Sequence, residues 1–161
     1  MNREILFKAK LKDWKTNPQQ NKWVEGYYVS MKETTHCFTE DYERNPVKAL
    51  HYIAVGFMTD WGLPNKFRCY EIDPDTLCQY TGLKDKDSNK IWENDVVRDN
   101  RGNLYKAIWQ EKYYQFSWTC IKATDELLLG AKWDLWSLAK NGDLELCGNI
   151  FDNKELLEGG E

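Results

Sequence analysis

The sequence has no apolar run long enough to cross a bilayer and none that resembles an export signal. Its most apolar stretch, residues 52–58, is far shorter than the roughly 20 residues a membrane span needs. The five cysteines are odd in number and none forms a Cys-x-x-Cys pair, which argues against a disulfide framework and a structural zinc site. We expect a cytoplasmic protein with reduced thiols and no membrane partner.

A basic excess is also absent, since 22 Lys and Arg stand against 26 Asp and Glu, for a net charge of −4. General nucleic-acid binders usually carry a basic excess, so the balance disfavours that class. Aromatic residues, in contrast, reach 14% of a 161-residue chain. We therefore expect one folded domain with a core built around rings.

Alternation of apolar and charged residues predicts a strand over residues 5–12, with Lys8, Lys10 and Lys12 on its outer face. Residues 23–31 favour a second strand, so the two are expected to form a hairpin. Later short β runs, a candidate at 34–38 among them, are separated by polar turns. That spacing is typical of a small barrel or sandwich.

Helical signals are few. Pro74 predicts a helical turn that continues to Gln79. Asp152 and Glu155 have the spacing of a capping box and predict a terminal helix.

Metal chemistry is weakly supported. The segment 85–89 begins like a calcium loop, but Lys90 and Val96 occupy the positions where such a loop needs Gly and Glu. We expect a solvated turn there. His36, His51 and the cysteines lack the paired spacing of zinc ligands, and each cysteine is interpreted as a small buried apolar residue.

Catalytic signals are equally weak. His36 and Cys37 are adjacent, and in a strand they would point to opposite faces, which disfavours a Cys–His pair. The carboxylate pairs Asp73 with Asp75 and Glu93 with Asp95 are common by chance in so acidic a chain. No catalytic residue, metal ligand or cofactor is predicted, and the binding residues stay unknown.

Two surfaces have alternative interpretations. The Lys8, Lys10, Lys12 face, with Trp14 and Lys15 beyond it, could follow a phosphate backbone, although outward lysines also protect sheet edges.

The aromatic run 109–118 is the second surface. It places Tyr114, Phe116 and Trp118 on one face, which we interpret as core. Tyr113 and Trp109 are then candidate exposed anchors for a partner. Packing in the core or at its rim is the alternative, and it is the favoured interpretation.

Several segments together resemble the YopX family of phage and prophage proteins. They are residues 71–86 (EIDPDTLCQYTGLKDK), 90–97 (KIWENDVV), 3–9 (REILFKA), 22–27 (KWVEGY) and 147–157 (CGNIFDNKELL). The resemblance spans nearly the whole chain. One departure is Asn94, where the family pattern usually has Gly; Asn is the next most tolerated residue at positive φ.

The resemblance implies a mainly β fold with a few short helices and a small SH3-like barrel. We expect a single domain over 1–161, in which residues 1–70 are a candidate N-terminal β lobe and 71–157 form the barrel and terminal helix.

It also implies a phage or prophage origin, a bacterial host cytoplasm and self-association as a homo-oligomer. The family pattern carries over no catalytic residue. The favoured hypothesis is a non-enzymatic protein-interaction module that binds a host or phage protein. The alternative is a nucleic-acid-binding small β-barrel.

Overall fold

The computed structural model describes residues 4–140 and 143–157 and is mainly β, with two antiparallel sheets and few helices. The chain divides into two compact units. We call Leu6–Leu77 the N-terminal unit, and Cys78–Glu161 with Met1–Ile5 the C-terminal unit. Within the described ranges, no helix has the length and apolarity that crossing a membrane requires.

The N-terminal unit contains four antiparallel strands in the order β4-β3-β2-β1 and one short α-helix. The elements are β1 (Phe7–Lys10), β2 (Trp23–Lys32), α1 (Thr39–Arg44), β3 (Ala49–Phe57) and β4 (Lys66–Glu71), with 3-10 turns at Pro18–Gln20 and Pro74–Thr76. The predicted hairpin is confirmed, since Phe7 lies opposite Gly26 and Lys10 opposite Trp23. Ala9, Ile53 and Ile72 form the core of this unit.

Two local predictions are wrong here. Residues 34–38 are not a strand, because no strand of the described chain pairs with them and helix α1 begins directly afterwards. The helical turn at Pro74 ends at Thr76 rather than Gln79. It stops there because the Thr76 hydroxyl accepts a hydrogen bond from the backbone N–H of Lys10 (2.9 Å), which ties the turn to β1.

The C-terminal unit holds the remaining strands, and five of them form an antiparallel sheet in the order β10-β9-β8-β7-β11. The elements are β5 (Cys78–Lys84), β6 (Lys90–Trp92), β7 (Asp95–Arg98), β8 (Leu104–Gln110), β9 (Gln115–Lys122), β10 (Lys132–Asp134), α2 (Leu135–Ala139) and β11 (Glu145–Asn149). Strands β5 and β6 pair with each other. The 3-10 turns are Glu111–Tyr113, Glu126–Leu128 and Lys154–Leu156.

The predicted barrel closure is not seen. Strands β10 and β11 are the two edges of the five-stranded sheet among the described residues, so the sheet is open. Its core packs around Ile91, Val97 and the fully buried Trp118. The indole N–H of Trp118 donates to the carbonyl of Leu135 (3.2 Å), which fixes the start of α2 against β9.

The predicted terminal helix is a single 3-10 turn, Lys154–Leu156. The capping box does not form, because Asn149 and Asn153 organise this segment instead. The side-chain oxygen of Asn149 accepts hydrogen bonds from the backbone N–H of Phe151 and Asp152, and Glu155 accepts one from the Asn153 amide.

Two turns of the C-terminal unit share one design. In each, an aspartate accepts hydrogen bonds from the backbone N–H groups two and four residues later, and from an asparagine side chain four residues later. The pairs are Asp85 with Asn89 and Asp99 with Asn103. The predicted solvated turn at 85–89 is thereby confirmed as a turn closed by its own carboxylate.

The prediction for Asn94 is also confirmed. Its φ is 65°, so asparagine occupies the left-handed conformation that it tolerates better than most residues with a Cβ. The backbone N–H of Asn94 donates to the carbonyl of Ala107 (2.8 Å), and this holds the turn into β7 against β8.

Candidate functional site

Four large aromatic side chains of the C-terminal unit remain exposed. They are Trp109 (40% exposed), Tyr113 (59%), Tyr114 (83%) and Trp136 (73%), and we call them the aromatic surface. Tyr113 and Trp109 are exposed, so the structure agrees with the candidate-anchor alternative rather than with the favoured interpretation of core or rim packing. Alternation along the sequence wrongly placed Tyr114 in the core, and no surface role was predicted for Trp136.

The centre of the aromatic surface is a shallow depression of about 400 Å³. Trp109 on β8 lies opposite Phe116 on β9, and their rings meet edge to face with centroids 5.0 Å apart. Phe116 is 7% exposed and forms the floor, while Trp109 forms a wall. Trp109 also lines a second hollow with Tyr113, so the four aromatic side chains are continuous.

Tyr114 lies at the end of the 3-10 turn Glu111–Tyr113 in the left-handed conformation, with φ 50° and ψ 43°. Because of this turn, β9 starts only at Gln115. Tyr114 therefore does not share the buried face of Phe116 and Trp118, and the prediction that it does is wrong. A left-handed residue with a Cβ costs about 1–2 kcal/mol. Core packing does not offset that cost, because the Tyr114 side chain is exposed.

Trp136 lies in the first turn of α2, whose start is fixed by Asp134. The Asp134 carboxylate oxygen Oδ1 accepts a hydrogen bond from the backbone N–H of Ser137 (2.9 Å), and the Ser137 hydroxyl donates to the Asp134 carbonyl (2.8 Å). This double cap positions Trp136 at the rim of the depression. The Asp-x-x-Ser spacing is the sequence signal that could have located it.

The polar groups of the aromatic surface are largely unused by the fold. The indole N–H groups of Trp109 and Trp136 and the hydroxyl of Tyr114 make no hydrogen bond to the residues that the structure describes. Asp134 is the acidic residue among the described residues lining the depression. Within residues 4–140 and 143–157, its oxygen Oδ2 has no hydrogen-bond partner either. The surface therefore combines ring faces, free donors and one carboxylate.

The lysine face is not fully exposed, although Lys8, Lys10 and Lys12 were expected on the outer face of the first strand. Lys10 is only 2% exposed, and its ammonium donates to the side-chain oxygen of Asn21 (2.6 Å). That ammonium also lies over the rings of Trp14 and Trp23, at 5.4 and 4.9 Å from their centroids. Lys10 faces indole rings because its cross-strand neighbour is Trp23.

The remaining lysines of this face are also engaged. Lys8 lies over the Trp23 ring (4.7 Å), Lys12 pairs with Glu71 (2.7 Å), and Lys15 pairs with Asp73 (3.0 Å). We call Lys8, Lys10, Lys15, Trp14 and Trp23 the lysine–tryptophan cluster. Its positive charges lie beside carboxylates and rings, so this face is not a stripe of free lysines of the kind that the phosphate-binding alternative assumed.

Asp73 anchors this cluster. Burial raises the pKa of its carboxyl, but hydrogen bonds from the Trp14 indole (2.9 Å), the Lys15 ammonium and the backbone N–H of Asp75 outweigh that effect. The net result is a pKa below the usual value for aspartate.

The sequence's candidate catalytic groups occupy structural positions. The hydroxyl of Tyr28 lies 2.6 Å from Nδ1 of His51, and His36 packs edge to face on Tyr42. Neither imidazole is part of a group of three potential metal ligands among the residues described. Cys37 and Cys69 are exposed, which corrects the expectation that every cysteine is buried.

The carboxylate pairs likewise support the backbone. Asp95 is 1% exposed and accepts a hydrogen bond from the backbone N–H of Trp92 (2.8 Å). Burial raises the pKa of the Glu93 carboxyl, against the effect of backbone hydrogen bonds at Gln79 and Trp109. Asp73 and Asp75 are joined through a turn, in which the Asp75 backbone N–H donates to the Asp73 carboxylate.

The fold and this site define a mainly β protein with a set of exposed aromatic rings on its C-terminal unit. A family model described as YopX protein matches residues 14–158. The chain belongs to the YopX family. No curated protein matches the sequence.

One solved structure similar to this chain is the crystal structure of protein EF1440 from Enterococcus faecalis. The two chains are 16% identical, and the alignment covers 97% of this chain and 99% of that one with a TM-score of 0.47.

Proposed function

We propose that the protein is a phage or prophage accessory protein that acts without catalysis, as a protein-interaction module in the cytoplasm of a bacterial host. Its aromatic surface binds an extended segment of a host or phage protein. The observation that carries the proposal is that the large side chains of Tyr114 and Trp136 are exposed and do not pack in the core. Exposed Tyr and Trp are the residues that protein interfaces favour.

The test is co-purification of the tagged full chain from its bacterial host, with nuclease treatment and mass spectrometry. We compare the unmodified chain with Trp136→Ala and with the matched control Trp61→Ala, whose indole is fully exposed in the N-terminal unit. A stoichiometric protein that survives nuclease, is lost with Trp136→Ala and is kept with Trp61→Ala supports the proposal. A partner retained by Trp136→Ala, or nucleic acid alone, contradicts it.

Self-association is part of the same proposal, through the face of the N-terminal sheet that holds Tyr27, Val29, Met31 and Phe67. All four side chains are exposed, and the register of β2, β3 and β4 places them on one face. The occupant is a second copy. These four side chains are uncharged. When two copies pair symmetrically through this patch, the four residues therefore cause no repulsion between like charges. Met31→Glu is expected to lower the mass measured by light scattering, and an unchanged mass contradicts this assignment.

The SH3-like character of the C-terminal unit also belongs to the proposal. Its support is the antiparallel order of five short strands, together with register shifts in β8–β9 and in β7–β11. Such shifts bend strands and increase their twist, which gives an open sheet the strong curvature of SH3-like folds.

A further inference from the structure

Extended and helical peptides bind proteins in a few recurring ways, and one of them is addition of a strand to a free sheet edge. The depression of the aromatic surface lies over β8 and β9. Strand β8 is paired with β7 and β9, and β9 is paired with β8 and β10. The register of β9 with β10 ends at Ser117, and that of β8 with β7 ends at Lys106. Beyond these points β9 has only Gln115 and Phe116, and on β8 the carbonyl of Ala107 already accepts from the backbone N–H of Asn94 (2.8 Å). The uncovered stretches at the site are therefore shorter than the strands that sheets usually contain, which disfavours strand addition there.

A second way is burial of an amphipathic helix in an apolar groove. The backbone groups of a helix bond to one another, so a helix makes little use of hydrogen-bond donors in a groove. Here the walls are rings whose donors are free within the described chain: the indoles of Trp109 and Trp136 and the hydroxyl of Tyr114. Those donors suit a ligand whose backbone carbonyls are exposed.

A polyproline II segment has that property, because it has no internal hydrogen bonds and its backbone is fully available. Its proline rings stack on flat aromatic side chains, and its low flexibility reduces the entropy lost on binding. Asp134 adds a negative charge at the same depression, and its oxygen Oδ2 has no hydrogen-bond partner in the described chain.

We propose that the aromatic surface binds a proline-rich segment in the polyproline II conformation, with a lysine or arginine next to the prolines. The prolines pack between Trp109, Tyr114 and Trp136, the free donors bind peptide carbonyls, and the basic residue pairs with Asp134. This inference rests on the proposed function, because it names the partner class of that same surface.

The test is selection from a displayed library of random peptides of about twelve residues, roughly four turns of polyproline II helix. The full chain is the target, and the Trp136→Ala variant is used to remove binders that do not need the aromatic surface. The enriched peptides are expected to contain prolines three residues apart beside a basic residue. An oligonucleotide of random sequence at low salt is tested in parallel.

Matched variants then assign the contacts by titration of the best selected peptide. Trp136→Ala is expected to weaken binding at least about tenfold, and Trp136→Phe should recover part of that loss by keeping a ring without the N–H. Asp134→Asn keeps the helix cap, because Asn caps as well as Asp. It is expected to remove the preference for a basic residue and to lower the salt dependence of binding.

The outcomes separate this inference from the proposed function. Trp136-dependent peptides without prolines overturn the inference and leave the interaction module in place. No Trp136-dependent peptide at all overturns both. Binding of the oligonucleotide that requires Trp136 also overturns both, since stacked bases would then occupy the rings.

Discussion

The aromatic surface and the lysine–tryptophan cluster use similar indole rings in opposite ways. In the cluster, the rings of Trp14 and Trp23 cover the ammonium of Lys10, and that side chain is 2% exposed. In the aromatic surface, Trp136 is 73% exposed and its indole N–H has no hydrogen-bond partner among the described residues. The cluster's interactions contribute to folding, while those of the aromatic surface remain available to another molecule.

This difference indicates how function can be recognised in a chain without a catalytic motif. Residues that stabilise the fold have their charges and donors matched inside it. Residues selected for binding contribute little to stability, or reduce it, as Tyr114 does in its left-handed conformation. Stability and binding should therefore respond to different substitutions.

The largest expected effect on stability is that of Lys10→Ala. It removes a buried cation from two rings and from Asn21, so the free energy of unfolding should fall by about 2 kcal/mol. Urea denaturation measures this, with the exposed Lys22→Ala as control. Equal stability of the two variants would show that the cluster is not structural.

Asp73→Asn should have the next largest effect, about 1 kcal/mol, because it weakens charge-assisted hydrogen bonds to Trp14 and Lys15. The pKa of Asp73 is lowered by folding, so its contribution is present above the unfolded pKa near 4 and is lost as pH falls through the folded value. Unfolding free energies measured between about pH 2 and 7 should depend less on pH in the variant. An identical profile would contradict the role of Asp73.

Tyr114→Asn should act in the opposite direction and stabilise the protein by about 0.5 kcal/mol, since asparagine adopts φ 50° more easily than tyrosine. Partner binding should decrease in the same variant. Thermal unfolding and the co-purification assay measure the two effects. A loss of stability would mean that the tyrosine ring packs usefully in the folded chain.

Trp136→Ala should have the smallest effect on stability, within about 0.5 kcal/mol, because the side chain is exposed. Urea denaturation beside the unmodified chain measures it. A destabilisation above about 1 kcal/mol would assign Trp136 to the fold and remove the main support for the aromatic surface.

Much of the fold could be predicted from local patterns. The alternation around Phe7 and Lys8 predicted the first hairpin with its correct pairing, and the unusual Asn94 was correctly placed at positive φ. The residues of the lysine face were identified correctly, but the prediction that Lys10 is exposed was wrong. Periodicity shows which side chains share a face and does not reveal that Trp14 and Trp23 cover Lys10.

The aromatic surface was predicted only in part for a similar reason. Trp109 and Tyr113 were identified because they fell on the face opposite the core. Tyr114 was missed because one left-handed residue shifts the alternation before β9 begins. Trp136 was missed because the exposure of a residue in a five-residue helix depends on the cap at Asp134 and on tertiary packing.

The most direct test of the central claim is site-specific photo-cross-linking in the bacterial host. A benzophenone amino acid replaces Tyr113 within the aromatic surface, and Trp61 in a control chain. We expect a cross-link from position 113 to a peptide of a different protein and none of comparable yield from position 61. Cross-links from position 113 only to nucleic acid, to a second copy of this chain or to nothing would contradict the account.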